Sequence, residues 1–378
     1  MIIGLLKETG SEKRVAMLPE IVSALIERKV EIFIEKDAGQ RAYHSDEQYH
    51  RAGATLVSRQ EILTKANVVI QIQPPEKELI ESLNKEQIWI SQYNPLWNTD
   101  LVETFQSKKI TSFSLDSIPR ITRAQAMDVL SSMATVSGYK AVLEAASLLP
   151  SFFPMFMTAA GTIRPANVLI LGAGVAGLQA IAIARKLGAQ VQVFDVRSAV
   201  KEEVMSLGAR FVEVEGARED AAAGGYAVEQ TEDFKKRQQE AINEKAIKAD
   251  VVIGTAQIPG KKAPVLIPND VVEKMKPGSV IIDLAASTGG NCELSKDNEI
   301  VEHHGIRIVG QSNYPSQMPV DASKMFGKNL FNFITLMIDD EGQLQLDFED
   351  EIVKGTCITR DSEIINERVK SVLANKNN

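Results

Sequence analysis

The sequence predicts an α/β protein made of two doubly wound parallel-sheet domains. Three observations lead to that class. The chain has 378 residues, too many for one ordinary core. Short apolar runs alternate with helical stretches in two separate series. In the second series a glycine-rich turn joins a strand directly to a helix.

The first series fills residues 1–115. "IIGLL", "VEIFIE", "NVVIQI", "IWISQ" and "ITSFSL" read as buried strands, and "PEIVSALIERK", "RQEILTKA", "KELIESL" and "TDLVETFQSK" as the helices between them. Strands that are nearly continuous apolar runs belong to sheets covered on both faces. The stretch Ile118–Val142 then reads as one long helix. The second series runs "NVLILGAG", "VAGLQAIAIARKLGA", "QVQVFDV", "VKEEVMSLGA", "RFVEV", "DVVIGTA", "DVVEKMKPG", "SVIIDLA" and "IRIVGQS". The loop "EGAREDAAAGGYAVEQ", residues 215–230, interrupts it, and a loop of that length is usually functional. After Pro319 a helix leads to a β-prone tail, expected to pack back on the first domain. The expected domains are therefore 1–122 with 318–378, and 123–317.

Bulk properties narrow the function. A net charge of −8 and a pI near 5.3 argue against a nucleic-acid surface and an anionic-lipid anchor. No apolar run reaches membrane-spanning length, so direct membrane insertion is not expected. "MIIGLLKETG" reads as a first strand and lacks the features of a signal peptide. Cys292 and Cys357 form no disulfide framework. His44, His50, His303 and His304 have no zinc-type spacing, so no metal site is expected. The adjacent His303 and His304 are read as solvating a turn.

"NVLILGAGVAGLQA" carries Gly172, Gly174 and Gly177 at the G-x-G-x-x-G spacing, after a strand and opening a helix. Gly172 allows the turn, Gly174 lets backbone approach a pyrophosphate, and Gly177 lets helix and strand close together. The helix N-terminus faces the phosphates. Asp195 ends the next strand, the position from which a carboxylate reads the adenosine ribose. A carboxylate there repels a 2′-phosphate and favours NAD, while Arg197 has the chemistry to accept one.

In Ile118–Val142 the polar residues are unusual. At about 100° per residue, Gln125, Asp128, Ser131, Ser132 and Thr135 share an arc of roughly 120°. That stripe has an acid, an amide and hydroxyls where a solvated face usually has Lys and Glu. Arg120 and Arg123 stand at its start. Asp128 also has the spacing to cap or bond Ser131 locally.

The stretches "RAQAMDVLSSMATVSGYKAV", "TAAGTIRPANVLILGAGVAGLQAIAIARKLGA", "IPGKKAPVLI", "MKPGSVIIDLAASTGGNCEL" and "YPSQMPVDASKMFGKNLFNF" resemble the NAD(H)-binding alpha subunit, or domain I, of proton-translocating NAD(P) transhydrogenase. "MIIGLLKETGSEKRVAMLPE" is also similar to the related alanine dehydrogenases. The resemblance implies two Rossmann-like lobes joined by long helices, with NAD(H) in a cleft between them. It implies hydride passing directly to NADP(H) on a partner subunit, coupled to proton movement through a membrane-spanning proton-channel subunit. It further implies a homodimer, in the cytoplasm and peripheral on the inner membrane through its partners.

Position by position, the resemblance places Arg120, Gln125, Asp128 and Ser131 at the nicotinamide, with Ala126 and Met127 beside them. It places Val175 in the glycine loop, and Asp195, Val196 and Arg197 at the ribose and adenine edge. Gly225 and Tyr226 become the tip of a closing loop, and Gln238 and Gln257 further cofactor contacts. Gln257 and Gln230 depart from the residues expected there. The alternative reading is a soluble alanine-type amino-acid dehydrogenase. That chemistry needs a group to move a proton at the substrate. Here the strand end "QIQPP" offers Gln71 and Gln73, residues 51–302 hold no histidine, and Arg14 stands alone.

Overall fold

The structure is a computed structural model that describes residues 1–214 and 231–376. It divides into two compact units, Met1–Met133 with Pro315–Asn378, and Ala134–Tyr314.

In the first unit β1 (Ile2–Leu5) leads through α1 (Pro19–Glu27) to β2 (Glu31–Glu35). Then come α2 (Asp46–Arg51), β3 (Thr55–Val57), α3 (Arg59–Lys65) and β4 (Val68–Ile70). α4 (Lys77–Glu81), β5 (Ile88–Ser91), α5 (Thr99–Ser107) and β6 (Thr111–Ser114) complete the series. These six strands are parallel, in the order β3-β2-β1-β4-β5-β6. Ser45 and Ser58 start α2 and α3 with reciprocal capping boxes to Gln48 and Glu61. The core gathers Trp89, Tyr93 and Phe105 with aliphatic residues of the strands.

Helix α6 (Val129–Leu148) contains the division between the units. In the second unit a short antiparallel hairpin follows, β7 (Phe156–Thr158) with β8 (Gly161–Ile163). Then come β9 (Asn167–Leu171), α7 (Val175–Lys186), β10 (Gln190–Phe194), α8 (Lys201–Ser206) and β11 (Arg210–Phe211). α9 (Glu232–Lys248), β12 (Val251–Gly254), α10 (Asn269–Val272), β13 (Val280–Asp283), β14 (Ile300–His303) and β15 (Ile306–Val309) finish it. The order is β11-β10-β9-β12-β13-β15-β14, parallel except for β14.

The chain returns to the first unit through α11 (Tyr314–Gln317) and α12 (Pro319–Ile334). It ends with α13 (Glu351–Thr356), β16 (Cys357–Arg360), β17 (Glu363–Ile364) and α14 (Glu367–Lys376). β16 pairs antiparallel with β6 and β17 with β16. A buried hydroxyl chain joins the tail to the sheet. Tyr93 OH lies 2.8 Å from Ser112 Oγ, which lies 2.7 Å from Thr359 Oγ1, and Thr359 donates to the Ile110 carbonyl at 2.8 Å.

Two elements differ from the sequence expectation. The single helix over Ile118–Val142 is instead a 3-10 turn, Thr122–Met127, an extended Asp128, and then α6. The common polar arc therefore does not exist as drawn. Asp128 competes with the backbone for hydrogen bonds and breaks the helix. The hairpin β7–β8 has no counterpart in the sequence reading, because "FMTAAGTI" carries no period-2 alternation.

Both six-strand parallel cores follow the order 3-2-1-4-5-6, which reverses direction at one point. That switch point lies between β1 and β4 in the first unit and between β9 and β12 in the second. Within the second unit α6 packs on the start of α7. A Cβ added at Gly138 would lie 2.2 Å from the Ala176 carbonyl oxygen. Gly138→Ala is expected to force the two helices apart and to cost about 1–3 kcal/mol, read as a lower melting temperature of the whole chain. An unchanged melting temperature would show that this backbone approach is not needed.

Candidate functional site

At the switch point of the second unit each glycine of the motif has its own explanation. Gly172 has φ +104°, and a Cβ there would lie 2.5 Å from Thr255 Oγ1. At Gly177 a Cβ would lie 1.9 Å from the Gly172 carbonyl oxygen, so helix and loop meet backbone to backbone. At Gly174, the N-cap of α7, an added Cβ would meet nothing within 4 Å. Among the described residues no neighbouring atom requires glycine at that position, which fits a group outside the chain. The first N–H groups of α7 have no partners inside the helix and point out of this loop. Val175, the first helical residue, is 42% exposed.

Neighbouring strand ends fix the loop. Thr255, after β12, donates from Oγ1 to the carbonyls of Leu171 and Gly172 at 3.1 and 3.0 Å. Asp195, after β10, accepts from Ala173 N at 2.7 Å. The other bonds of Asp195 come from Arg197, through its backbone N (2.9 Å), Nε (2.9 Å) and a terminal guanidinium N (2.7 Å). Both carboxylate oxygens thus accept two protein hydrogen bonds, and the Asp195 side chain is 6% exposed. The hydrogen bonds to Asp195 hold the Arg197 guanidinium above its ordinary pKa despite its partial burial. Val196 lies half-buried between them.

Gln257 is exposed on the loop after β12, and its Nε2 donates to the Leu284 carbonyl at 3.0 Å. Gln238 is half-buried on α9. Gly225, Tyr226 and Gln230 lie outside the described residues.

Sequence reasoning missed two residues that shape this loop. Asn291 accepts from Ala256 N at 2.9 Å and donates to the Ala256 and Pro264 carbonyls, both at 2.9 Å. Buried Asp283 in turn accepts from the backbone N of Asn291 and Cys292 and from Ser295 Oγ. Neither residue has a motif spacing, since their partners are distant in sequence. Cys292 and Cys357 are buried, and burial pushes their thiols up to about 11 and about 12, so both stay protonated.

In the first unit the segment Arg120–Ser131 is set by caps and side-chain amides. Asp128 accepts from Ser131 N at 2.9 Å and Ser131 Oγ at 2.6 Å, the geometry of an N-cap on α6. Asn329 and Asn332 of α12 both donate to the Ala126 carbonyl, at 2.8 and 2.9 Å. They were also missed by sequence reasoning, and they hold the turn that presents Gln125. Gln125 and Ala126 are exposed while Met127 is buried, as is its neighbour Ala124. Arg120 is exposed. Arg123 is engaged elsewhere, in a bidentate pair with Asp350 at 2.6 Å for both bonds.

The switch point of the first unit is closed by side chains. Glu8 accepts from Ile72 N at 2.6 Å and Gln73 N at 3.1 Å, bridging the ends of β1 and β4. Arg14 makes a bidentate pair with Glu12 at 2.9 and 2.7 Å, and Gln73 Nε2 adds a bond to Glu12 at 2.8 Å. Glu8, Glu12, Arg14 and Gln71 are all at most 5% exposed. Burial pushes Glu8 up to about 7, against the two backbone N–H bonds. Burial also opposes ionisation of Glu12, but the Arg14 guanidinium outweighs it and brings Glu12 down to about 2.

Residues 4–137 match the family model "Alanine dehydrogenase/PNT, N-terminal domain", and residues 141–367 match "Alanine dehydrogenase/PNT, C-terminal domain". The chain is 46% identical over 363 residues to an NAD(P) transhydrogenase subunit alpha polypeptide of Rhodospirillum rubrum, covering 94% of each chain. It is 41% identical over 368 residues to NAD(P) transhydrogenase subunit alpha of Haemophilus influenzae, covering 97% of this chain and 72% of that one. Among solved structures it is similar to a transhydrogenase from Sinorhizobium meliloti, with a TM-score of 0.88 and 38% identity, covering 97% of this chain and 100% of that chain.

Glu8 makes stability depend on pH near neutrality. A carboxyl whose folded pKa is raised binds its proton more tightly folded than unfolded. Stability is therefore lost as pH rises from about 4.5 to about 7, by up to about 3 kcal/mol. Glu12 acts in the opposite sense and far lower, losing its contribution as pH falls toward about 2. Glu8→Gln is expected to flatten the profile between pH 4.5 and 7, measured by denaturant unfolding across that range. A variant profile parallel to the wild type would remove Glu8 as the cause.

Proposed function

The chain belongs to the alanine dehydrogenase/PNT family, with the alpha subunits of NAD(P) transhydrogenase, and on that premise we propose that it is the NAD(H)-binding subunit of such an enzyme. Hydride passes directly between NAD(H) on this chain and NADP(H) on a partner subunit, while a membrane-spanning subunit carries the coupled protons. The chain works in the cytoplasm and reaches the membrane through those partners. Among the described residues no helix is long and apolar enough to cross a membrane, which agrees with that arrangement.

One observation carries the choice of chemistry. The end of β4 presents Gln71 and Gln73, amides that neither take nor give a proton at neutral pH. Nearby, Arg14 is already neutralised by Glu12, and both Glu8 oxygens accept backbone N–H groups. An amino-acid dehydrogenase needs a proton-transfer group at its substrate. Transfer between two nicotinamides needs only position and exclusion of water.

In this reading the pyrophosphate meets the N–H groups of the Gly172–Gly177 loop, and Gly174 is glycine to admit it. The adenosine ribose takes the place of one Arg197 bond on Asp195, with Val196 beside the adenine and Gln238 and Gln257 as further contacts. The nicotinamide lies against Arg120, Gln125, Ala126, Met127, Asp128 and Ser131. Gln125 and Asp128 orient its carboxamide, and Asp128 does so from a position fixed by its own cap. A second copy of the chain completes a homodimer through the hairpin. Residues 155–164 are exposed throughout, with Met155, Phe156, Met157 and Ile163 at 56, 41, 77 and 40%. An apolar projection of that kind marks an interface.

The purified chain alone is expected to turn over no alanine or pyruvate with NAD(H), and to exchange hydride once an NADP(H)-binding subunit is added. Alanine turnover at ordinary enzymatic rates would overturn the reading in favour of the amino-acid dehydrogenase. Gln125→Asn and Asp128→Asn are expected to slow hydride transfer in the mixed complex by about tenfold or more, with NADH affinity within about threefold. Asn is as good an N-cap as Asp, so Asp128→Asn separates charge from capping. Equal losses in rate and affinity would reduce both residues to cofactor anchors. For the dimer, Phe156→Asp with Met157→Asp should yield a monomer in sedimentation equilibrium, and a persistent dimer would place the interface elsewhere.

A further inference from the structure

We propose that Glu273, His303 and His304 form a binding site for a divalent transition-metal ion of the zinc type. The three residues each offer a ligand atom, and these atoms lie within 4.8 Å of one another. Glu273 directly follows α10, His303 ends β14, and His304 opens the turn to β15.

The turn brings the imidazoles together. On a regular strand adjacent side chains point to opposite faces. Here His304 has φ +50°, a left-handed conformation in which histidine is enriched, and His303 faces Ile306 across the hairpin. The two rings therefore lie with centroids 4.5 Å apart. Gly278 N donates to the Gly305 carbonyl at 2.8 Å and fixes the turn against the segment that follows α10.

The donor geometry asks for a cation. His303 Nε2 is buried and makes no hydrogen bond among the described residues, yet lies 3.5 Å from Glu273 Oε1. Two donors bound about 2.0–2.1 Å from one tetrahedral ion stand about 3.3–3.4 Å apart. The separation is thus too long for a hydrogen bond and close to that of two ligands sharing an ion. Asn269 Nδ2 donates to the same Glu273 oxygen at 3.1 Å and orients it, as outer hydrogen-bond partners orient metal ligands. His304 is exposed, so its ring is open to an ion from solvent. Two imidazoles and one carboxylate select zinc, cobalt, nickel or copper over calcium and magnesium, and water fills the remaining positions.

The site lies at the end of the sheet away from the glycine loop. β15 runs parallel to β13, β13 to β12 and β12 to β9. The histidine turn precedes β15, whereas the glycine loop follows β9. Metal binding and nucleotide binding are thus separable.

The test is a Zn²⁺ titration of the chelator-treated full chain by isothermal calorimetry, with melting temperature recorded in parallel. The expected result is one equivalent per chain and a melting temperature raised by the ion. His303→Ala and His304→Ala should each weaken binding at least tenfold, and the double variant should lose both signals while binding NADH as the wild type does. Retained NADH binding certifies the fold of the variants. Saturable binding unchanged in the double variant overturns the proposal, as does the absence of saturable binding to the wild type.

Discussion

A Cβ at Gly177 would lie 1.9 Å from the carbonyl oxygen of Gly172, so the helix can close on its own loop only with glycine there. Much of the second unit follows from that contact. It sets the first turn of α7 directly above the end of β9. The Gly172 carbonyl also accepts from Thr255, which ties the end of β12 to the same point. On the other side Asp195 accepts from Ala173 N and ties in the end of β10. Three strand ends are thereby registered on one loop, and the unpaired helix N–H groups are held where an anion can use them.

The two sheets share a strand order but put their switch points to different uses. In the second unit the crevice is bordered by glycines and by side chains that bond backbone. In the first it is filled by Glu8, Glu12, Arg14, Gln71 and Gln73, all but Gln73 at most 5% exposed. A buried carboxylate–guanidinium pair contributes little net stability, because desolvation offsets its attraction. Its consequence here is chemical. Arg14 is already bound by a carboxylate, and the nearby carboxyl with a raised pKa, Glu8, is bound to backbone. An equivalent fold position is filled by buried side chains in one unit and bordered by glycines in the other.

The segment from Arg120 to Ser131 shows how local and functional demands coexist. Asp128 breaks what would be one helix, caps the next, and leaves Gln125 on a short exposed turn. Two amides from α12 on the Ala126 carbonyl anchor that turn to the rest of the unit. Its cap bonds hold the Asp128 side chain in one rotamer, which the proposed orienting role requires.

The sequence by itself determined the α/β class, the two series of elements and the glycine loop with Asp195. These depend on periodicity and short spacings, which act between neighbours in the chain. It also marked Gln125, Asp128 and Ser131 as out of place on a solvated face, although it drew them on one continuous helix. The bond between Asp128 and Ser131 is local and legible in their spacing, but tertiary structure alone decided the partners that come from elsewhere in the chain. The Ala173 bond to Asp195, the Asn291 bonds behind the Thr255 loop, the Asn329–Asn332 clamp and the Glu8 and Gln73 bonds that close the first crevice all join residues from separate elements. So does the meeting of Glu273 with the histidine pair. Such contacts leave no period in the sequence, because a side chain's partner across a sheet is set by strand order and register, which emerge only when the whole sheet has formed.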